Sequence, residues 1–155
     1  MTSASKPVQR QSLASSRLRK HADFLRAYAA GRKRQSTAMS WFLAPQTHEA
    51  EAASLPAEAR VGLTVGKVMG KAHERNRIKR RMREALRRHV DLFSPGFDLI
   101  FHPRRSVLTM EFAQLEREIV RILEQAREQS LVEAARSPKR NSTLSAHKAR
   151  LTPAP

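Results

Sequence analysis

The sequence predicts an α+β domain, in which helices pack against one small β-sheet. Two observations carry this prediction. Residues 75–88 combine a dense run of Arg with apolar residues at helical spacing, and short segments with the alternation of β-strands lie on both sides of that run. The predicted order is helix, strand, strand, helix, strand, helix, which suits a single core with helices on a small sheet.

The first element is a short helix predicted over residues 21–30. Phe24 and Tyr28 are one helical turn apart, so they share a face, and Gly31 suits the position just after a helix end. Three basic residues at 32–34 follow and are predicted to form a loop. The helix therefore presents an aromatic pair close to a cluster of positive charge.

Two strands are predicted next, joined by a long connector. In residues 38–44, Trp41 and Phe42 point to opposite faces. In residues 60–66, bulky residues alternate with Gly and Thr, so a helix, a backbone segment or a ligand can approach the small face closely. The connector at 45–58 contains two Pro and three Glu but no Lys or Arg, and it carries no motif.

A basic helix, predicted over residues 73–90, is the most informative segment. Its core, residues 75–88, holds seven Arg and one Lys against a single Glu. Ile78, Met82 and Leu86 recur every four residues and form a narrow apolar stripe, so the cations cover the remaining circumference. Because most of these charges repel one another instead of forming pairs of opposite sign, we expect a polyanion to bind here.

The last two elements are a strand at 97–102 and an amphipathic helix. Thr109 is the predicted N-cap, and the helix is predicted to end between Gln129 and Arg136, since Pro138 disfavours continuation. Its apolar residues keep helical spacing at Phe112, Leu115, Ile119, Ile122, Leu123 and Ala126. The chain thus divides into one domain at 17–130 and two disordered basic tails at 1–16 and 131–155.

Composition limits the partners and the chemistry that this protein can have. The 155 residues include 30 Lys and Arg against 14 Asp and Glu, a net charge of +16, which favours nucleic acid or an anionic membrane as partner. The absence of Cys excludes disulfides, thiolate metal sites and a Cys nucleophile. No apolar run approaches the roughly 18 residues of a membrane span, and no secretory signal is visible, so we expect a cytoplasmic protein without a membrane partner.

The sequence shows no catalytic or metal-binding constellation. The six His are scattered without metal-ligand spacing, and His89 and His102 are interpreted as surface or strand-end residues. Phosphate-binding loops, nucleophile motifs and paired carboxylates are also missing. The chemistry that can be recognised is phosphate binding by Arg and Lys and base stacking by aromatic residues, so we expect neither catalytic residues nor a metal site.

Residues 60–67, 70–72 and 75–80 together resemble the signature of the bacterial ribonuclease P protein subunit family. The resemblance extends roughly over residues 17–128. It implies an α-β-β-β-α-β-α order around one small mixed sheet, as in the ribosomal S5 domain 2-like fold. It therefore implies a fourth, short strand, expected near residues 34–36.

The resemblance also implies a function: assisting a catalytic RNA in endonucleolytic removal of the 5′ leader from precursor tRNA, with Mg²⁺ bound mainly by that RNA. The family's contacts to the catalytic RNA match Arg75, Asn76, Arg77, Lys79, Arg80 and Arg83. The family's contacts to the leader match Phe24, Tyr28, Phe42 and Lys67. Two positions depart from the family, since Gly66 and Val68 stand where Ser and a second Lys are common.

Other interpretations of the same residues remain open. A structural ribosomal protein, or another rRNA-binding protein with a basic helix, would have the same charge and style of fold. A DNA-binding regulator would need a second helix just before the basic one, whereas a Gly-rich strand end precedes it, so DNA is not expected. By spacing alone, the aromatic residues at 24, 28 and 42 are also compatible with an ordinary core.

Overall fold

The computed structural model describes Leu13, residues 16–46 and residues 58–150, with side chains as far as Arg136. Its elements are α1 (His21–Ala30), β1 (Arg32–Gln35), β2 (Met39–Pro45), β3 (Arg60–Leu63), α2 (Ala72–Arg87), β4 (Phe97–Pro103) and α3 (Phe112–Arg150). Short 3₁₀ turns lie at Lys67–Met69, Val90–Leu92 and Arg105–Leu108. The α+β class and the α-β-β-β-α-β-α order are confirmed, and β1 is the short extra strand that the resemblance implied.

The four strands form one mixed sheet in the order β1-β2-β4-β3. β2 runs antiparallel to both β1 and β4, while β3 is parallel to β4, so α2 lies in the crossover between those two strands. Side chains alternate between two faces. Trp41 and Phe101 are buried in the main core, which α2 and α3 cover, whereas Phe42 and Ile100 belong to a second cluster beneath α1.

The basic helix α2 packs as its sequence predicts. Ile78, Met82 and Leu86 are at most 1% exposed, and Ala85 is buried beside them. The helix ends at Arg87, so the predicted end near residue 90 is too late. The chain tightens there into a separate 3₁₀ turn, after which Phe93 enters the core.

Two glycines are required by close packing. Gly31 directly follows the end of α1, as predicted, and has an extended backbone with a φ of −86°. A Cβ on Gly31 would lie 2.8 Å from the carbonyl oxygen of Ala27. A Cβ on Gly62 would lie 2.7 Å from the ring of Phe24, so of the predicted possibilities (a helix, a backbone segment or a ligand) it is the helix α1 that approaches the small face of this strand. That strand, β3, ends at Leu63, earlier than predicted.

The N-terminal boundary of the domain lies earlier than predicted. The backbone of Ser16 accepts a hydrogen bond from Val61 N (2.7 Å), and Leu18 N donates to the carbonyl of Val61 (2.9 Å). The chain thus pairs with the free edge of β3, which orders Ser16 although it falls in the predicted disordered tail. The rest of the tail at 1–16, apart from Leu13, and most of the connector lie outside the described residues.

α3 extends much farther than predicted. Its buried stripe runs through Leu115, Ile119 and Ala126 to Ser130, and the helical backbone continues to Arg150. The predicted end between residues 129 and 136 is therefore wrong, and the backbone of 131–150, predicted to be disordered, is helical. Glu, Ala, Arg and Leu continue up to Arg136, and all are strong helix formers.

Candidate nucleic-acid interface

The cations of α2 fall into two groups, and the first is engaged within the protein. Arg81 donates a hydrogen bond to the backbone carbonyl of Met110, in front of α3. Arg88, which directly follows the last residue of α2, pairs with Glu84 on α2 (3.4 Å) and with Glu116 on α3 (3.3 Å). These guanidinium groups connect α2 to the segments packed beside it. Because protein groups already bind them, they are less available to a phosphate.

The second group consists of cations for which the described residues provide no carboxylate partner. Within the described part of the chain, no carboxylate lies at ion-pair distance from Arg75, Arg77, Lys79, Arg80 or Arg83. Arg77 and Arg80 are exposed, as is Asn76, and the others are partly exposed. The structure therefore gathers all six residues that matched the family's contacts to catalytic RNA on one helix. Five of them are positive charges that a phosphate could pair with.

On the opposite face of the sheet, the three predicted aromatic residues form a row. The ring of Tyr28 lies 5.0 Å from that of Phe42 in a T-shaped contact and 6.4 Å from that of Phe24. All three are half-buried and pack on a small apolar cluster that includes Ala27 and Ile100. They are thus partly core and partly surface, which leaves ring area available to a ligand.

The row is completed by His102, which the sequence predicted only as a surface or strand-end residue. Tyr28 Oη lies 2.9 Å from His102 Nε2 and 3.1 Å from Thr64 Oγ1, and the His102 ring is 5.5 Å from both Tyr28 and Phe42. Burial lowers the pKa of His102, and the positive charge of Lys33 lowers it further. The imidazole is therefore neutral at neutral pH and offers an aromatic face.

Strand pairing places Lys33 and His102 beside the aromatic row, although the sequence did not predict either residue there. Lys33 lies directly opposite Phe42, but it was predicted to be in a loop because β1 has no apolar alternation. His102 stands two residues after Ile100 and so shares its face, a signal that strand alternation does contain. Lys67, which matched a leader contact, is exposed at the start of the 3₁₀ turn after β3.

The described residues contain no group of three or more His, Asp or Glu that could hold a metal ion. Mg²⁺ demands several oxygen ligands, and the acidic residues of α2 are instead paired with arginines: Glu74 with Arg105 and Glu84 with Arg88. The described part of the chain therefore does not fit a resident Mg²⁺. Nor does it contain a helix long and apolar enough to cross a membrane.

Comparison with known proteins identifies the family. The family model described as Ribonuclease P matches residues 14–127. The ribonuclease P protein component of Chloroflexus aggregans is 36% identical over 111 residues, which cover 71% of this chain and 76% of that protein. The ribonuclease P protein component of Herpetosiphon aurantiacus is 36% identical over 112 residues, which cover 72% of this chain and 85% of that protein.

Among solved structures, a mutant of the Staphylococcus aureus RNase P protein, described as defective in mRNA degradation activity, superposes with a TM-score of 0.62 and 25% identity. The match covers 74% of this chain and 91% of that one. Like the family model, which matches residues 14–127, these similarities are not confined to one motif. The chain therefore belongs to the ribonuclease P protein family and is a protein subunit of that RNA-processing endoribonuclease.

Proposed function

We propose that the chain assists a catalytic RNA in removing the 5′ leader of precursor tRNA, by binding the catalytic RNA through α2 and the single-stranded leader through the aromatic row. The observation that carries the proposal is the presence of two different RNA-binding chemistries in one small domain. One side of the sheet carries cations that have no carboxylate partner among the described residues, and the other carries an aromatic row. A permanent rRNA-binding protein would need only the first.

The basic helix suits a folded RNA. A structured RNA presents closely spaced phosphates, and Arg binds them with two hydrogen bonds at a time. Arg77 and Arg80 are exposed on α2, away from the buried stripe, so they can reach phosphates without disturbing the core. Asn76 beside Arg77 can donate to or accept from a base or a ribose.

The aromatic row suits an unpaired strand. Bases stack on aromatic faces whatever their sequence, and nearby cations attract the backbone. Here Lys33 lies across from Phe42, and Lys67 is exposed just beyond β3. A leader differs in sequence from one precursor to another, so a site that contacts base faces and phosphates fits this substrate better than one built on base-edge hydrogen bonds.

The chemistry of cleavage is assigned to the RNA. Mg²⁺ bound mainly by the catalytic RNA would activate water and stabilise the leaving oxygen of the phosphodiester. The protein's part is to hold the substrate and to neutralise phosphates, which raises affinity without a catalytic side chain. We place this activity in the cytoplasm, where precursor tRNA is made.

Reconstitution tests the proposal. Precursor tRNA is incubated with Mg²⁺ and one of three additions: the purified protein alone, the catalytic RNA alone, or both together. We expect no cleavage by the protein alone and cleavage by the RNA with Mg²⁺. The stimulation by protein should be greatest at low salt or low Mg²⁺, where phosphate repulsion is strongest. Cleavage by the protein after exhaustive removal of RNA would contradict the assignment of chemistry to the RNA.

A further inference from the structure

A cavity of about 700 Å³ opens at the free edge of β3, between the segment that precedes α1 and the basic helix α2. Its volume lies within the range of roughly 300–1,000 Å³ that is usual for small-ligand sites. The floor is apolar and the rim is basic. The floor includes Phe24, Leu63 and Leu86, and the rim includes Arg17, Lys79 and Arg83.

Among the described residues, no carboxylate lies at ion-pair distance from the rim cations Arg17, Lys79 and Arg83. None of the described residues that line the cavity carries a carboxylate. Burial lowers the pKa of Arg83, and the positive charge of Arg17 lowers it further, although a guanidinium remains charged at neutral pH. Cations held this close without a counter-charge repel one another, so an anion seated between them would stabilise the arrangement.

The apolar floor favours a ligand that has an apolar part as well as a negative charge. Leu63 and Leu86 provide an apolar surface, and Phe24 adds an aromatic ring that packs on Gly62. A flat apolar group with a phosphate attached satisfies both floor and rim, and a nucleotide has this composition. A base in such a pocket must be unpaired, because the edge of a duplex cannot enter a cavity of this kind.

The position of the cavity connects the two proposed RNA surfaces. Phe24 lines the cavity and is also the end of the aromatic row, 6.4 Å from Tyr28. Lys79 and Arg83 line it and also belong to the group of α2 cations that have no carboxylate partner among the described residues. An RNA strand on either surface can therefore deliver a nucleotide into the cavity.

We propose that this cavity binds one unpaired nucleotide of RNA, with its base on the apolar floor and its phosphate between Arg17 and Arg83. The proposal rests on the proposed function, which supplies the RNA. The nucleotide could come from the leader or from the catalytic RNA, and the chemistry of the pocket is the same in both cases.

The first test measures affinity. Arg17→Ala removes one side of the phosphate site while leaving the backbone that pairs with β3, and Lys20→Ala is the control because Lys20 is an exposed cation nearby that does not line the cavity. The affinity of each variant for catalytic RNA is measured first. The complex of each variant with catalytic RNA is then titrated with precursor tRNA and, separately, with mature tRNA. We expect Arg17→Ala to lose roughly tenfold in affinity for one RNA source, and Lys20→Ala to lose much less.

The second test locates the nucleotide. The chain has no Cys, so Arg17→Cys and Lys20→Cys can each be labelled uniquely with an aryl azide and photo-crosslinked to the RNA. Cross-links from position 17 confined to one unpaired nucleotide support the proposal and name its source. Two results would overturn the proposal: cross-links spread along paired nucleotides, or an equal loss of affinity for every RNA with Arg17→Ala. Either would show that the cavity attracts RNA only by its positive charge.

The two proposals fail separately. If Arg77→Ala and Tyr28→Ala weaken RNA binding while Arg17→Ala, folded with an unchanged melting temperature, has no effect, the pocket is overturned and the proposed function stands. If no variant changes binding or cleavage, the proposed function itself fails. Arg17→Lys keeps the charge and loses the two-pronged geometry, so an intermediate loss of affinity is expected from it.

Discussion

Arg60 and Asp98 face each other across the parallel pair of β3 and β4, and their side chains form two parallel hydrogen bonds. Arg60 Nε lies 2.9 Å from Oδ1 of Asp98, and Nη2 lies 2.9 Å from Oδ2. The third nitrogen, Nη1, reaches Asp23 on α1 at 3.2 Å. The hydrogen bonds to Asp98, followed by attraction to both carboxylates, raise the pKa of Arg60. One guanidinium thus ties α1 to the sheet that carries the rest of the aromatic row.

Removing this guanidinium should destabilise the fold. Arg60→Ala removes the guanidinium that pairs with the buried Asp98, and it leaves the buried Asp23 with its 3.6 Å pair to Arg26. Breaking a fully buried pair costs roughly 3–5 kcal/mol; because Arg60 is partly exposed, we expect about 2–4 kcal/mol. The control is Arg105→Ala, whose exposed pair with Glu74 should contribute below about 1 kcal/mol. Urea denaturation measures both, and equal losses would contradict the role given to Arg60.

The cations of α2 should differ in their contribution to RNA binding. Arg77→Ala or Arg80→Ala should weaken binding to the catalytic RNA without loss of fold, since both side chains are exposed. If each neutralises one phosphate, the slope of log K against log salt should flatten by roughly 0.7–0.9. Arg88→Ala is the control at the residue that directly follows α2, because its charge is engaged by Glu84 and Glu116. An unchanged slope in a folded Arg77 or Arg80 variant would indicate a solvated helix face.

The aromatic row should distinguish substrates by their leader. Tyr28→Ala should reduce affinity for precursor tRNA by about 1–3 kcal/mol per stacked base and leave affinity for mature tRNA unchanged. Tyr28→Phe is the control, because it keeps the ring and removes only the hydroxyl that contacts His102 and Thr64. Equal loss for both RNAs with Tyr28→Ala would show that Tyr28 supports the core and does not bind the leader.

Protonation of His102 should destabilise the protein in mild acid. The pKa of His102 is lower in the folded state than the value of about 6.5 expected in the unfolded chain, so the unfolded state binds more protons between these two values. The free energy of unfolding should therefore fall as the pH decreases below about 6.5, until the folded pKa is passed.

The control for this effect is His102→Asn, which retains a polar side chain without titrating. Denaturation at a series of pH values gives the difference between the two proteins, in which the contributions of other histidines cancel. That difference should be constant above about pH 7 and should change below it. A difference independent of pH would mean that Lys33 and burial do not perturb the imidazole.

The contact between Gly62 and Phe24 can be tested by adding one methyl group. Gly62→Ala places a Cβ within 2.7 Å of the ring, so the ring must move, and we expect a loss of about 1–3 kcal/mol. Gly66→Ala is the control, because the added methyl group would have no neighbour within 4 Å and the φ of −74° suits any residue. A thermal melt compares them, and similar melting temperatures would show that Phe24 adjusts freely.

Local pattern predicted every helix and strand except β1, although not all of their ends, and it predicted which faces are buried. The stripe at Ile78, Met82 and Leu86 is buried as predicted, because helical geometry alone decides which residues share a side. Phe24 and Tyr28 lie one turn apart for the same reason. The resemblance of residues 60–67, 70–72 and 75–80 to a family signature added the complete order of elements and the family.

Tertiary structure decided which side chains meet. His102 joins Tyr28 only because β4 lies between β2 and β3 in the sheet, and Arg88 finds Glu116 only because α2 packs on α3. The short strand β1 is formed by pairing with β2, not by any alternation of its own residues. Such contacts join residues that are far apart in the chain, so no local periodicity encodes them. They depend on strand order and helix packing, which only the assembled core determines.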